Sequence, residues 1–199
     1  MHACSVGDLT GMIENIPSTD YGELRFVILR QPKRKEELLS PTWGRLIYSY
    51  EFEKEYAPAI IIEAVNYSGK LKWPKSLSVE DQIELERLKA DGHDFIQTGR
   101  HFIAELKSEN VRQTQLYRTL LHEFGHYVHY LESVARPGIE HEAYELWEQR
   151  NDSYFKIGQT EKEAFAHRYA DKLGQCLIEQ RIIPFHPLQD QTNANAEPG

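Results

Sequence analysis

Two histidines and a glutamate within residues 120–129, which read Leu-Leu-His-Glu-Phe-Gly-His-Tyr-Val-His, have the types and spacing of a metal site. In a helix, residues four apart lie on one face about one turn from each other, so His122 and His126 project side by side. That separation suits two imidazoles that share one Zn²⁺ through bonds of about 2.0–2.1 Å. Glu123 lies about 100° further around the helix, where a carboxylate can reach a water molecule without being a ligand. The pattern therefore predicts a zinc site with Glu123 as general base.

Two features of this segment favour a metal site over a chance pattern. The motif lies within a strongly apolar stretch, where histidines without partners would be costly to bury. Gly125 lies inside the helix, at a cost of up to about 1 kcal/mol relative to alanine. We interpret this glycine as a point of close packing by another element.

A catalytic zinc site usually has three protein ligands and one open position. The metzincin pattern His-Glu-x-x-His-x-x-Gly-x-x-His fails, because His129 replaces its glycine and Glu132 its last histidine. A carboxylate on a second helix is the remaining option, and we select Glu163, in Thr-Glu-Lys-Glu-Ala-Phe-Ala-His. The small residues Ala164 and Ala166 would let that helix approach the first one.

Alternatives to Glu163 as the third ligand remain open. Thr160 and Glu163 also match a capping box, in which the carboxylate would only satisfy the start of a helix. Three other acids are rivals, although each is expected to be a solvated helix charge: Glu142, Glu145 and Glu161.

Together these motifs resemble those of the gluzincin metallopeptidases over roughly residues 110–175. The stretch His-Glu-Phe-Gly-His-Tyr-Val-His, followed downstream by Glu163 and an alanine, is similar to the ImmA/IrrE type, which cleaves bacterial or phage repressors. The stretch Gly-Gln-Thr-Glu-Lys-Glu-Ala-Phe-Ala is similar to catalytic domains of the anthrax-lethal-factor type. The resemblance implies a zincin-like fold, Zn²⁺ on His122, His126 and Glu163, and a peptidase activity.

The resemblance also directs attention to three further side chains. Many gluzincins carry an acid four residues after the glutamate ligand, whereas this chain has His167, a candidate for oxyanion stabilisation or for the role of the acid. Tyr154 lies in the region where lethal-factor-like enzymes place an oxyanion-stabilising tyrosine. His129 is expected to be a partly buried histidine with a partner rather than a group that contacts substrate.

Composition and charge narrow the functional classes. A net charge of −8 disfavours nucleic acid as a partner, because phosphate binding needs basic patches. Cys4 and Cys176 have no paired spacing, which argues against a disulfide framework or a cysteine zinc site. No basic region followed by an apolar run opens the chain, and no stretch approaches the roughly 18 apolar residues of a membrane span. We expect a cytoplasmic protein without a membrane partner, although a secreted chain after signal removal would look the same.

The order of patterns along the chain predicts one α+β domain over residues 21–188, between a weakly ordered lead-in at 1–20 and a disordered tail at 189–199. The apolar run at 59–65 is expected to form a central strand. Residues 67–75 break the pattern, and 101–106 fit either a strand or a helix. Other strands are predicted at 24–29 and 45–52, and helices at 79–90, 111–135, 140–150 and 160–180.

We expect a small twisted, mostly antiparallel sheet packed on the active-site helix and the glutamate-bearing helix. An edge strand would lie near the metal, where a peptide could pair in extended form. The sequence therefore predicts a zinc-dependent endopeptidase acting on a protein or peptide, and it leaves the oligomeric state open. The alternatives are an inactive zincin-fold binding or structural protein and a secreted host-directed toxin protease.

Overall fold

A computed structural model describes residues 1–33, 35 and 42–188, in which helices and two small sheets form an α+β arrangement. The strands are β1 (Phe26–Arg30), β2 (Gly44–Phe52), β3 (Glu55–Glu63), β4 (Lys70–Pro74), β5 (Ile96–Thr98) and β6 (His101–Glu105). The helices are α1 (Val6–Ile13), α2 (Val79–Ala90), α3 (Ser108–Gln113), α4 (Leu120–Tyr130), α5 (Tyr144–Lys156) and α6 (Gln159–Glu179). A 3₁₀ turn covers Ser18–Asp20, and π-helical segments cover Thr114–Thr119 and Leu131–Ala135.

The first sheet has the strand order β1-β3-β2, with β1 parallel and β2 antiparallel to β3. The expected central position of the third strand is confirmed, because Ile60, Ile61 and Ile62 are fully buried. This strand begins before Pro58, not at it as predicted. Pro58 is tolerated because it lies opposite the bulge in β2, where the register shifts and the ladder needs no amide.

The second sheet has the order β4-β6-β5 and is antiparallel throughout. The prediction that residues 67–75 break the pattern is wrong, since Trp73 pairs with Phe102. Gly69 and Pro74 flank or end β4 instead of interrupting it. Residues 101–105 form a strand, which resolves the choice left open by the short periodicity. Three of the four pairings among the described strands are antiparallel, as expected, but they form two sheets instead of one.

The motif-bearing helix is longer and less regular than predicted. It runs through α3, a π segment, α4 and a second π segment, so π geometry flanks the motif on both sides. π segments occur frequently at functional sites. The helix begins three residues earlier than predicted, with Lys107 as its N-cap, and the Asn110 side-chain amide donates to the Gly92 carbonyl at 2.7 Å.

The predicted weak order of residues 1–20 is also wrong. Ser5 and Asp8 form a capping box at the start of α1, and Leu9 and Met12 are buried in the core. The pattern Ser-x-x-Asp at Ser5 and Asp8 is the local sequence signal of this helix start. The predicted tail at 189–199 lies outside the described residues.

The remaining helices match the predictions to different degrees. Helix α2 is confirmed, including its N-cap Ser78, which accepts from the Asp81 amide at 3.0 Å. Helix α6 is confirmed within one residue at each end. Helix α5 begins at Tyr144 instead of at 140 and continues past the predicted end at 150 to Lys156. In this extension Tyr154 is buried and packs against Tyr130 with ring centroids 5.2 Å apart. None of the helices in the described part of the chain has the length and apolar composition needed to span a membrane.

Candidate active site

Helices α4 and α6 approach most closely at Gly125. A Cβ atom at this position would lie 2.7 Å from the Ala166 carbonyl oxygen and 2.8 Å from its Cα. The predicted close packing at Gly125 is confirmed, and Ala166 is the buried partner. Ala164, which we expected to share this role, is exposed. The contact places Glu163, about one turn before Ala166, opposite the two motif histidines.

The Glu163 carboxylate lies between the two motif imidazoles. Its Oε2 is 3.2 Å from His122 Nε2, and its Oε1 is 3.5 Å from His126 Nε2. Two ligand atoms on one tetrahedral zinc, each about 2.0–2.1 Å from the ion, are about 3.3 Å apart. Both nitrogen–oxygen distances are close to that spacing, and two imidazoles with one carboxylate are a usual zinc donor set. The predicted ligands therefore fit zinc in type and in these two distances.

His167 is an alternative to His126 as a metal ligand at this site. Ligand atoms from His122, Glu163 and His167 all lie within 4.8 Å of one another, and His126 is outside that group. The rings of His122 and His167 have centroids 4.4 Å apart. The structure thus contains two overlapping donor sets, which share His122 and Glu163. A single ion on the predicted set would require a small movement of His126 toward His122.

The histidines set the electrostatics of Glu163. Hydrogen bonds from His122 and His126 lower the pKa of this carboxyl far below its ordinary value, although burial opposes the shift. Gln159 donates to the same carboxylate from one turn earlier on α6. The capping-box alternative for Glu163 is excluded because the N-cap of α6 is Gly158, not Thr160.

The rival acids do not approach the motif histidines. Glu142 forms a bidentate pair with Arg150 on α5. Glu145 and Glu161 are exposed helix residues, as expected. None of the three lines the cleft that contains the motif.

Glu123 is a buried carboxylate, only 8 % exposed, whose pKa is raised by burial. The nearby His122 and His126 oppose that rise, as does a hydrogen bond from the backbone amide of Leu46. Leu46 belongs to β2, which is one of the two edge strands of the first sheet among the described residues. The edge strand therefore helps to hold the carboxylate that the motif predicts as general base.

His167 lines the same cleft, and its Nε2 is 2.9 Å from Nη1 of Arg87 on α2. A guanidinium has no acceptor, so Arg87 donates and Nε2 accepts. Burial, followed by repulsion from His122 and Arg87, lowers the pKa of His167 to about 4. The neutral ring then carries its hydrogen on Nδ1, where it can act as a donor.

Tyr154 lies behind the motif helix and does not line the cleft. Its side chain is 1 % exposed, and its hydroxyl donates to the His126 carbonyl at 3.3 Å. The Tyr48 hydroxyl is 2.7 Å from that of Tyr154, and it donates because the Tyr154 hydrogen is already used. Tyr48 lines the cleft and is not among the site residues predicted from the sequence, which predicts only that an edge strand lies near the metal.

The cleft has a volume of about 520 Å³ and lies between β2, α4 and α6. Arg118 forms part of its wall, held by two hydrogen bonds to Glu84 at 2.8 and 2.9 Å and one to Asp91 at 2.8 Å. His129 is not part of the lining; it stacks on Phe165 with centroids 4.4 Å apart. Its Nδ1 is buried without a hydrogen-bond partner among the described residues.

Comparisons with known proteins add no relative to this picture. No family model, no curated protein and no solved structure matches the chain. The motif and the geometry of the cleft are therefore the basis for assigning a function to this chain.

Proposed function

We propose that this chain is a zinc-dependent metallopeptidase of the gluzincin type, with a zincin-like fold, that hydrolyses peptide bonds within proteins or peptides. One observation carries the proposal. The imidazoles of His122 and His126 face one carboxylate, that of Glu163, at 3.2 and 3.5 Å in the lining of an open cleft. Glu123, a buried acid with no lysine or arginine partner among the described residues, lies beside them.

The side chains divide the reaction between them. Zinc, when bound, would polarise the scissile carbonyl and lower the pKa of water towards about 7. Glu123 accepts a proton from the attacking water as the water oxygen bonds to the carbonyl carbon, and it later passes that proton to the amine nitrogen as the C–N bond breaks. Burial supports this role, because a raised pKa brings the carboxyl nearer to neutral pH. The Nδ1–H of His167 is available to donate to the carbonyl oxygen as negative charge develops there.

Strand β2 supports a peptide as the substrate. It is one of the two edge strands of its sheet in the described part of the chain, and its residues Gly44, Leu46 and Tyr48 line the cleft. Edge strands accept extended peptides by main-chain hydrogen bonding. The Leu46 amide is directed at Glu123, so the outer edge of β2 and the reacting groups lie side by side.

A substitution of the general base tests the proposal. Glu123→Gln should retain one equivalent of zinc but lower the cleavage rate by about 10²–10⁴-fold, since it removes only the proton transfer. Cleavage products from a peptide library, identified by mass spectrometry, give the rate, and chelator-treated wild type is the control. Full activity in Glu123→Gln would reject this role for Glu123.

One observation favours a second candidate, an inactive protein with a structural zinc site. The donor atoms of His122, Glu163 and His167 lie within 4.8 Å of one another, and a fourth protein ligand would close the site. The cleft and the buried Glu123 favour the enzyme, because a structural site needs neither. The expectations of a cytoplasmic location and of no nucleic-acid partner stay predictions.

A further inference from the structure

We propose that Arg87 sets the number of protein ligands at this centre by holding His167 away from the metal. The inference rests on the proposed metal site, and it adds a residue from α2 that the motif does not contain. With Arg87 in place, the centre has three protein ligands and an open position; without it, His167 becomes a fourth ligand.

The position of His167 makes a fourth ligand possible. Its donor atom lies within 4.8 Å of those of His122 and Glu163, and its ring is 4.4 Å from that of His122 between centroids. Four protein ligands are typical of structural zinc sites, whereas catalytic sites keep one position for water or substrate. A histidine so close to the ligands needs a restraint if the site is to stay open.

The hydrogen bond from Arg87 provides that restraint. It lies at 2.9 Å and occupies the lone pair of His167 Nε2. Because a guanidinium can only donate, Nε2 is the acceptor in this contact, and the ring hydrogen lies on Nδ1. Neither nitrogen then offers a lone pair to a metal ion. Coordination by His167 would require loss of the Arg87 contact.

Arg87 is itself positioned by the attachment of α2 to the motif-bearing helix. Leu85 and Leu88, on either side of it, are buried. Glu84, one turn earlier, binds Arg118, and so does Asp91, the C-cap of α2. The guanidinium of Arg87 is thus presented to His167 by a helix that is held at its middle and at its C-terminal end.

A double-substitution cycle tests this restraint. Arg87→Met should tighten zinc binding roughly 10–100-fold, the size that outer-shell changes usually have. In Co²⁺-loaded protein, azide should perturb the visible spectrum of wild type but not of Arg87→Met, because the open position is filled. Adding His167→Ala to Arg87→Met should reverse both effects. Arg87→Lys, which keeps a donor, should behave as wild type.

The controls separate this restraint from a simple charge effect. Lys89→Met removes a cation from the same helix without contacting His167, and it should leave the zinc Kd unchanged. If Arg87→Met tightens binding equally with and without His167, charge alone explains the effect and the inference is overturned. Azide sensitivity that persists in Arg87→Met would also overturn it.

Single substitution of His167 keeps the test decisive if Arg87→Met does not fold. In the presence of Arg87, His167→Ala should leave the zinc Kd unchanged. A loss of about tenfold or more, the lower end of the usual outer-shell range, would show that His167 is already a ligand and would overturn the inference. Wild-type protein without stoichiometric zinc would overturn the proposed function and this inference together. Zinc-bound wild type with any of the contrary results above overturns the inference alone.

Discussion

Asp8 and Glu123 are both buried carboxylates, but their surroundings differ. Asp8 is 2 % exposed and receives two hydrogen bonds from Arg112 at 2.7 and 3.1 Å, with a third from the Leu188 amide at 2.9 Å. Glu123 is 8 % exposed and has a backbone amide and two imidazoles as neighbours, but no arginine or lysine in the described part of the chain pairs with it. One acid is neutralised by a cation, and the other is not.

The pKa shifts follow from this difference. Burial alone would raise the pKa of Asp8, but the hydrogen bonds from Arg112, Leu188 and Ser5 outweigh it and bring the pKa below its ordinary value. Burial dominates at Glu123 and raises its pKa. A buried acid with a full set of partners has a structural role, whereas a buried acid without a cation in an open cleft is poised for proton transfer. The first joins α1 to α3, and the second serves the chemistry.

The largest expected effect on stability comes from exchanging these two acids for their amides. Asp8→Asn should lower the free energy of unfolding by about 3–5 kcal/mol, because it leaves Arg112 buried without its counter-charge. Glu123→Gln should leave the free energy of unfolding unchanged or raise it, because no cation loses a partner. Urea denaturation of both variants measures the difference. Equal losses in the two variants would remove the distinction between the acids.

The second-largest loss of stability is expected at the contact between α4 and α6 around Gly125. Gly125→Ala should lower the free energy of unfolding by about 1–3 kcal/mol, since the new Cβ would overlap the backbone of Ala166. It should also weaken zinc binding by moving Glu163 away from the histidines. The matched control is Gly174→Ala on α6, where the nearest atom is 3.7 Å away and the change should add up to about 1 kcal/mol of helix propensity. Unchanged zinc affinity in Gly125→Ala would contradict this role of the contact.

A hydroxyl deletion at Tyr154 should have a smaller effect. Tyr154→Phe removes the donor to the His126 carbonyl and the acceptor for Tyr48, at a cost of about 0.5–1.5 kcal/mol per hydrogen bond. Cleavage should continue at a similar kcat, because the ring lies behind the motif helix. A loss of about 10²-fold or more in kcat with zinc still bound would instead place this hydroxyl at the developing oxyanion.

The pH dependence of stability gives the subtlest distinction. Because the folded pKa of Asp8 is below its ordinary value, the unfolded chain binds the proton more readily, and Asp8 stabilises the fold above its ordinary pKa. That contribution is lost as the pH falls through the folded value. The Tm of wild type should therefore fall more steeply than that of Asp8→Asn as the pH decreases below the ordinary aspartate pKa. Parallel Tm curves for the two proteins would contradict the assigned shift.

The sequence was most informative where the relevant contacts are local. The spacing of His122 and His126 places them on one helical face whatever surrounds the helix, and α6 follows from its own pattern. Gly125 predicts a close contact with another helix, but the sequence does not show that Ala166 is the residue in contact. Glu163 followed from the chemistry of the missing third ligand.

The parts of the cleft that escaped prediction come from elements distant in sequence. Tyr48 and the Leu46 amide arrive on β2, and Arg87 arrives on α2; neither element carries a motif. Their roles depend on how the sheet and α2 pack against the motif-bearing helix, which no local pattern specifies. The second sheet was not predicted for a different reason. Glycine and proline usually interrupt a strand, but Gly69 lies just before β4 and Pro74 is its last residue.

The central claim is that His122, His126 and Glu163 bind one Zn²⁺ and leave a position open. Anomalous diffraction at the zinc absorption edge, from crystals of the full chain with one equivalent of zinc, tests it most directly. A single peak about 2.0–2.2 Å from those three side chains, with a non-protein fourth ligand, is the expected result. A peak elsewhere, or a zinc ion bound by His167 or without Glu163, would contradict the account.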